Sequence, residues 1–167
     1  LVVTRHFSQK DYDGICTNGA QASYLEVDIE TGLVELLGHW VVHDAGTIIN
    51  PQQVDEQIRG AVIQGIGAAL GEECIYSENG QLLNGSLADY LVPLAGQMPE
   101  VHIDHVVTPT ASSELGAKGA GECGAAGAPA AILNAINDAL SVFQVSVNTQ
   151  PFSPERILRA LGKIDDT

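Results

Sequence analysis

Basic residues are scarce in this sequence, with 7 Lys and Arg against 21 Asp and Glu and a net charge of −14. A chain this acidic is repelled by nucleic-acid phosphates and by anionic lipid surfaces. The sequence also lacks the run of roughly 20 apolar residues that a membrane helix needs. We therefore expect neither a nucleic-acid partner nor a membrane span.

Cysteine is equally scarce, because only Cys16, Cys74 and Cys123 are present and no C-x-x-C pair occurs. This spacing predicts no disulfide framework, no zinc site and no iron-sulfur cluster held by the chain itself. No signal-peptide pattern opens the sequence, which predicts a cytoplasmic protein. Because the first residue is Leu1 rather than methionine, we expect a cut or processed start.

The 167 residues with 45% hydrophobic content are sufficient for one domain, predicted to span 1–167 with an α+β fold. Extended segments at 22–29 and 33–42 flank Glu30-Thr31-Gly32 and predict a β-hairpin. A second hairpin is predicted around Asn79-Gly80, between 74–76 and 81–83, and a further strand over 101–107. The middle of the chain is thus predicted to be strand and loop.

Three helices are predicted from capping signals and apolar spacing. Asn50-Pro51 starts a helix predicted over 51–73, because Asn is a good N-cap and Pro suits the first helical position. A glycine-rich loop leads into a second helix predicted over Pro129–Leu140. The pattern Ser153-Pro154-Glu155 starts a short last helix that ends at Gly162.

Glycine is concentrated in residues 60–71 and 116–127. In the first cluster, steps of three and four place small residues and two amides on one helix face, opposite the aliphatic face: Gln57, Gly60, Gln64, Gly67 and Gly71. Glycine costs roughly 1 kcal/mol against alanine inside a helix, so something must press against this helix. Either tight packing on another helix or contact with a ligand satisfies that requirement.

The second cluster, 115–124, holds Lys118 and Glu122 in a run almost free of side chains, whose N–H groups are suited to cradle an anion. It matches neither the P-loop nor the dinucleotide-binding pattern. Because a helix of Ala, Ile and Leu follows, we expect Glu122 to be poorly solvated and available as a general base. The alternative is an acidic residue that interacts with the dipole of the following helix.

Histidine spacing is a weaker signal for chemistry. His39 and His43 lie four apart on a predicted strand and share a face, as a pair of metal ligands would, whereas His102 and His105 do not. We therefore predict no metal held by protein side chains.

Taken together, three segments resemble the C-terminal part of the molybdenum-binding polypeptide of the molybdenum hydroxylases, the xanthine dehydrogenase and aldehyde oxidase family. They are VHDAGTIINP at 42–51, QIRGAVIQGIG at 57–67 and GAKGAGE at 116–122. Their order and spacing together are highly specific. The continuation Glu122-Cys123-Gly124 resembles the carbon monoxide dehydrogenase-like branch.

The resemblance implies a molybdenum held by a molybdopterin dithiolene, with the cytosine dinucleotide form expected from bacterial relatives. It implies that Glu122 is the catalytic base, which takes a proton from the water or hydroxide that attacks the substrate carbon. It further implies that Gln57 contacts the pterin and that Lys118, Gly119, Ala120 and Gly121 border the same cofactor. The expected reaction is hydroxylation of a small heterocycle or aldehyde carbon with water as the oxygen source.

In such enzymes the molybdenum-binding polypeptide is several times longer, and electrons leave through 2Fe-2S and FAD on other domains or subunits. The resemblance therefore implies partners: the remaining molybdopterin-binding polypeptide, an iron-sulfur subunit and a flavin subunit. We expect this chain to be a fragment or a separately encoded subunit that is inactive alone. The alternative is a non-catalytic structural or assembly subunit, and nothing in the sequence identifies the substrate.

Overall fold

A mixed three-stranded sheet and two long helices form the framework of the computed structural model, which describes residues 2–6 and 14–165. Strand β1 (Asn18–Val27) pairs antiparallel with β2 (Val34–Asp44), and β2 pairs parallel with β3 (Val101–His105), in the order β1-β2-β3. The connection between β1 and β2 turns at Gly32, whose φ of +74° favours glycine. The predicted hairpin and the third strand are confirmed.

A β-bulge in the hairpin decides which residues of β2 face the helices. Tyr24 pairs with Gly38 and Leu25 with Leu36, so Leu37 is an extra residue in β2. Because side chains alternate along a strand, one inserted residue exchanges the two faces beyond it. Leu36 is buried before the bulge, and His39 and His43 are buried after it, so the two histidines share the inner face as predicted.

Helix α1 (Pro51–Leu70) begins where its capping residue predicts. The Asn50 side chain accepts a hydrogen bond from the Gln53 amide at 3.2 Å, and Pro51 occupies the first turn. The helix ends at Leu70, three residues before the predicted end. The amides of Gly71 and Glu72 both donate to the Gly67 carbonyl there, which closes the last turn.

Helix α2 (Cys123–Leu140) begins six residues before the predicted start at Pro129. Pro129 lies inside the helix, so its interpretation as the first helical residue is wrong. The early turns contain Gly124 and Gly127, which have low intrinsic helix propensity. Packing decides the outcome, because a Cβ on Gly124 would lie only 2.7 Å from the Ile58 carbonyl of α1.

The two long helices pack on the inner face of the sheet, and the core lies between them. Helix α3 (Pro154–Ala160), capped by Ser153 as predicted, closes one end of this core. The predicted hairpin around Gly80 is reduced to a single antiparallel bridge between Tyr76 and Leu82. The most buried apolar side chains are Val41, Ile58, Val62, Ile66, Ile132, Ile136, Leu140, Phe152 and Ile157.

The observed architecture confirms the predicted α+β class. Within the described residues, no helix combines the length and the apolar character needed to cross a membrane.

Candidate cofactor site

The glycine-rich segment is joined to the end of β2 by backbone hydrogen bonds. Gly46 and Ala117 form an antiparallel bridge, and the Lys118 amide donates to the Ala45 carbonyl at 2.8 Å. A Cβ on Gly46 would lie 2.3 Å from the Gly116 carbonyl, so only glycine allows this approach. Two of the three sequence segments that carry the family resemblance are thus in direct contact.

An ion pair fixes the same junction. The Lys118 ammonium lies 2.9 Å from Asp44 Oδ2, and both side chains are less than a tenth exposed. Asp44 Oδ1 also accepts hydrogen bonds from the amides of Gly46 and Thr108, at 2.9 and 3.1 Å. The Lys118 ammonium, aided by these amides, holds the pKa of the Asp44 carboxyl far below its usual range.

The charge of Lys118 is therefore engaged within the chain. That this residue borders a cofactor stays a prediction, and it now concerns the backbone around Lys118 rather than the ammonium group.

Helix α1 presents Gln57 to the glycine-rich segment. Its Nε2 donates to the Gly121 carbonyl at 3.3 Å, which joins the second and third resemblance segments. Gly60 follows one turn later on the same exposed face. A Cβ on Gly60, Gly119 or Gly121 would meet no atom within 4 Å. We call these three residues, together with Gln57, the glycine cradle.

Other glycines of the predicted α1 face are used differently. A Cβ on Gly67 would lie 2.5 Å from the Pro93 side chain, and one on Gly71 would lie 3.3 Å from Leu91. The helix-helix contact uses Gly65, where a Cβ would lie 2.9 Å from both the carbonyl of Ala125 and the Cβ of Ala128. Both explanations for the glycines thus apply, at different positions: some glycines serve packing, and the cradle stays open.

Glu122 stands directly after the cradle, at the N-cap position of α2. Its side chain makes no capping hydrogen bond to the helix, and its position before the first turn leaves the alternative of an interaction with the helix dipole open. The residue is also exposed, which makes the expected poor solvation wrong for this chain. The carboxylate is accessible beside the cradle.

Glu122 also borders an open cleft of ≈ 420 Å³ whose other wall is β1 and β2. His43 also lines the cleft and is 1% exposed. Burial lowers the pKa of His43, which favours the neutral ring. The cleft therefore offers one carboxylate and a neutral histidine, and its other lining residues are Thr17, Asn18, Gly19, Gln21, Val41, Cys123, Ala126 and Gly127.

The pairings of several polar residues in this region do not follow from the sequence. Asp44 belongs to a resemblance segment, but its pairing with Lys118 spans 74 positions and no local pattern indicates it. Gln21 and His39 form a buried hydrogen bond at 2.9 Å. An alternation of polar residues on the inner face of the hairpin is the signal that would have identified them. In the described part of the chain, no group of three or more His, Cys, Asp or Glu side chains is arranged to hold a metal ion.

Comparison with known proteins identifies relatives of the whole region. The model of the molybdopterin cofactor-binding domain matches residues 2–99, which include Gln57 but end before the glycine-rich segment. The nicotine 6-hydroxylase large subunit of Paenarthrobacter nicotinovorans is 43% identical over 90% of this chain. The carbon monoxide dehydrogenase large chain of Afipia carboxidovorans is 31% identical over 83% of it.

Solved structures give the same result for the fold. Quinoline 2-oxidoreductase from Pseudomonas putida 86 superposes with a TM-score of 0.85 at 41% identity, over 88% of this chain and 19% of that one. The present chain spans 18% and 17% of the lengths of the two sequence relatives. Since the family model matches more than half of the residues and the fold agrees, the chain belongs to the molybdopterin cofactor-binding domain family of the molybdenum hydroxylases.

Proposed function

We propose that this chain supplies the catalytic base and part of the molybdopterin site of a molybdenum-dependent oxidoreductase. The proposed reaction hydroxylates a carbon of a small heterocycle or aldehyde with water as the source of oxygen. The observation that carries the proposal is the accessible Glu122 carboxylate, which is free of capping hydrogen bonds and lies directly beside the glycine cradle. Relatives named as hydroxylases and dehydrogenases support the reaction class.

The residues of the cradle leave room for a large cofactor. Side chains at Gly60, Gly119 and Gly121 would fill space that is open in the chain. The amides of Gln57 and Gln64 are exposed on the same face of α1, and such groups hydrogen-bond the polar edge of a pterin. Gln57 would contact the pterin, and the backbone from Lys118 through Ala120 to Gly121 would border it.

When bound, the molybdenum cofactor would supply the two-electron oxidation of the substrate carbon. Glu122 would accept one proton from the water whose oxygen enters the product. The Lys118–Asp44 pair holds the segment before Glu122 on the sheet, so that the carboxylate stays in place during proton transfer. The cofactor is proposed in its cytosine dinucleotide form.

The proposal includes partners, because this chain spans less than a fifth of the sequence relatives' length. Residues 1–167 would form one domain that is completed by the remaining molybdopterin-binding polypeptide, either as a separate subunit or in one longer chain. Iron-sulfur and flavin subunits, carrying 2Fe-2S and FAD, would take the electrons away. Such an assembly would act in the cytoplasm on a small-molecule substrate.

The variant Glu122→Gln tests the base directly in the complete enzyme. Removing a positioned general base typically costs about 10² to 10⁴ in rate, so we expect at least about a 100-fold loss of turnover per bound molybdenum. Molybdenum content, measured by metal mass spectrometry, should remain at the wild-type level, because glutamine keeps the shape of the side chain.

Glu78→Gln is the matched control, since Glu78 is an exposed glutamate in the turn around Gly80. It should leave both turnover and metal content unchanged. Near-normal turnover per bound molybdenum in Glu122→Gln would contradict the assigned base. A wild-type complex without molybdenum would instead support the structural-subunit alternative.

A further inference from the structure

A network of hydrogen bonds joins Ser23, His39 and Gln21 on the inner face of the hairpin and ends on the first turn of α2; His39 is buried, and the other two side chains are half-buried. Ser23 and His39 are joined through Oγ and Nδ1 at 2.9 Å, and His39 Nε2 lies 2.9 Å from Gln21 Oε1. Gln21 Nε2 then donates to the carbonyls of Cys123 and Gly124, at 3.0 Å each. His39 is fully buried, so water does not compete for its nitrogens.

The direction of every hydrogen bond in this network follows from which atoms can donate. Backbone carbonyls only accept, so the Gln21 amide group must turn its Nε2 towards α2 and its Oε1 towards His39. His39 Nε2 must then carry a proton and donate it. Burial lowers the pKa of His39 and favours the neutral ring, so Nδ1 accepts from the Ser23 hydroxyl. The arrangement has one consistent orientation and uses both protons of the Gln21 amide group.

The Ser23–His39–Gln21 network ends next to the proposed base. Cys123 and Gly124 directly follow Glu122, and their carbonyls belong to the turn that sets the direction of the Glu122 Cα–Cβ bond. A Cβ on Gly127 would lie 2.7 Å from Gln21 Cδ, so the absence of a side chain at Gly127 allows Gln21 to reach the helix backbone. A second contact, between Thr17 Oγ1 and Cys123 Sγ at 2.8 Å, joins the same turn to the residues before β1.

Packing against α1 restrains only one side of this turn. Gly124 meets α1 at the Ile58 carbonyl, whereas Gln21 reaches the same turn from the sheet. Contacts from two directions prevent the turn from rotating about the helix axis or shifting along it. Preorganised geometry of this kind matters for catalysis, because displacing a catalytic group by about 1 Å can cost about 100-fold in rate.

We infer that the Ser23–His39–Gln21 network is a positioning device that fixes the orientation of Glu122 through the first turn of α2. The three residues act on Glu122 through that turn, and Gln21 also lines the cleft that Glu122 borders. The inference rests on the proposed role of Glu122 as the base.

The test replaces Gln21 by methionine in the complete molybdenum enzyme, which keeps the length of the side chain and removes both donated hydrogen bonds. We expect amide hydrogen exchange, measured by mass spectrometry, to accelerate in the peptide covering the first turn of α2. Turnover per bound molybdenum should fall about tenfold or more with KM within about twofold, because the chemical step is affected and binding is not. Ser23→Ala should give a smaller change in the same direction.

Asn137→Leu is the matched control on the same helix. The Asn137 side chain makes two hydrogen bonds with the Val147 backbone, at 2.8 and 3.0 Å, far from Glu122. This variant removes two amide hydrogen bonds, against three in Gln21→Met, so it should lower the thermal unfolding temperature in the same direction as Gln21→Met does. It should leave exchange in the first turn of α2 and turnover per bound molybdenum unchanged.

The outcomes separate this inference from the proposed function. If Glu122→Gln abolishes turnover while Gln21→Met keeps wild-type turnover, the positioning role is overturned and the base assignment stands. If Gln21→Met and Asn137→Leu lower turnover equally, the Ser23–His39–Gln21 network is merely structural and the inference is also overturned. If exchange accelerates in Gln21→Met while Glu122→Gln remains active, the network holds the turn but the proposed base is wrong.

Discussion

The glycines of the two clusters fall into two groups that the sequence does not distinguish. Gly65 and Gly124 lie in the contact between α1 and α2, where an added Cβ would come within 3 Å of backbone atoms. Gly60, Gly119 and Gly121 face open space instead. The first group is therefore required for the two helices to pack, whereas the second keeps room for something outside the chain.

The largest expected effect on stability belongs to the packed group. In Gly124→Ala the new Cβ would lie 2.7 to 2.8 Å from three atoms of α1, two of which are backbone atoms that cannot move aside cheaply. Overpacking of this kind costs roughly 1–3 kcal/mol, so thermal unfolding should occur several degrees lower than in the wild type. Gly119→Ala, in open space, is the control, and an equal loss in both variants would remove the distinction between the two groups.

An effect of intermediate size on stability is expected when acid protonates Asp44, because the ion pair of Asp44 with Lys118 attaches the glycine-rich segment to β2. The pKa of Asp44 is held far below its ordinary value of 3.8, first by the Lys118 ammonium and then by backbone amides. A depressed pKa means that the carboxylate stabilises the fold above the unfolded value, and that this stabilisation is lost as the pH falls below about 4. The double variant Asp44→Asn, Lys118→Met should therefore show a flatter decline of unfolding temperature with acid.

An exposed ion pair provides the control for that experiment. Arg59 and Glu56 lie 2.6 Å apart but are 42% and 65% exposed, and such pairs contribute little to stability. Glu56→Gln should keep the acid decline of the wild type. If the unfolding temperature of the double variant Asp44→Asn, Lys118→Met declined with acid as steeply as that of the wild type, the buried pair would not hold the glycine-rich segment in solution.

The smallest effect on stability, and one of opposite sign, is expected in the open group. Gly60→Ala introduces a Cβ that meets nothing within 4 Å, and alanine is favoured over glycine inside a helix by about 1 kcal/mol. Unfolding of the cofactor-free protein should move up by about 2 °C, while the molybdenum content of the complete enzyme should fall because the methyl group enters the cradle. Unchanged molybdenum content would show that the cofactor does not approach α1 at this position.

Much of the fold follows from signals that are local in the chain. Asn50-Pro51 and Ser153-Pro154 predict the starts of two helices, because a capping side chain needs only an amide a few residues further on. The hairpin over the first third of the chain follows from alternating residues around Gly32. The start of α2 was missed because its first six residues contain two glycines, and their low helix propensity is overcome only by contacts with α1 and Gln21.

The candidate site follows from the sequence only in part, because some of its contacts join residues that are remote in the chain. Gln57 and Glu122 were identified by resemblance, and the structure brings Gln57 to Gly121, the residue before Glu122. The ion pair of Asp44 with Lys118 and the hydrogen bonds of Gln21 with Cys123 join residues 74 and 102 positions apart. Contacts at that separation exist only once the sheet and both helices have packed.

By itself the sequence determined the α+β class, the cap of α1 and the family resemblance of the three segments, because turns, caps and apolar periodicity depend on near neighbours. The tertiary structure alone decided which glycines are packed and which stay open, because a glycine has no side chain and its role is set by whatever lies opposite. It also decided that Lys118 pairs with Asp44 and that Glu122 stays accessible. Those outcomes depend on the distance between remote residues, which only the packed fold defines.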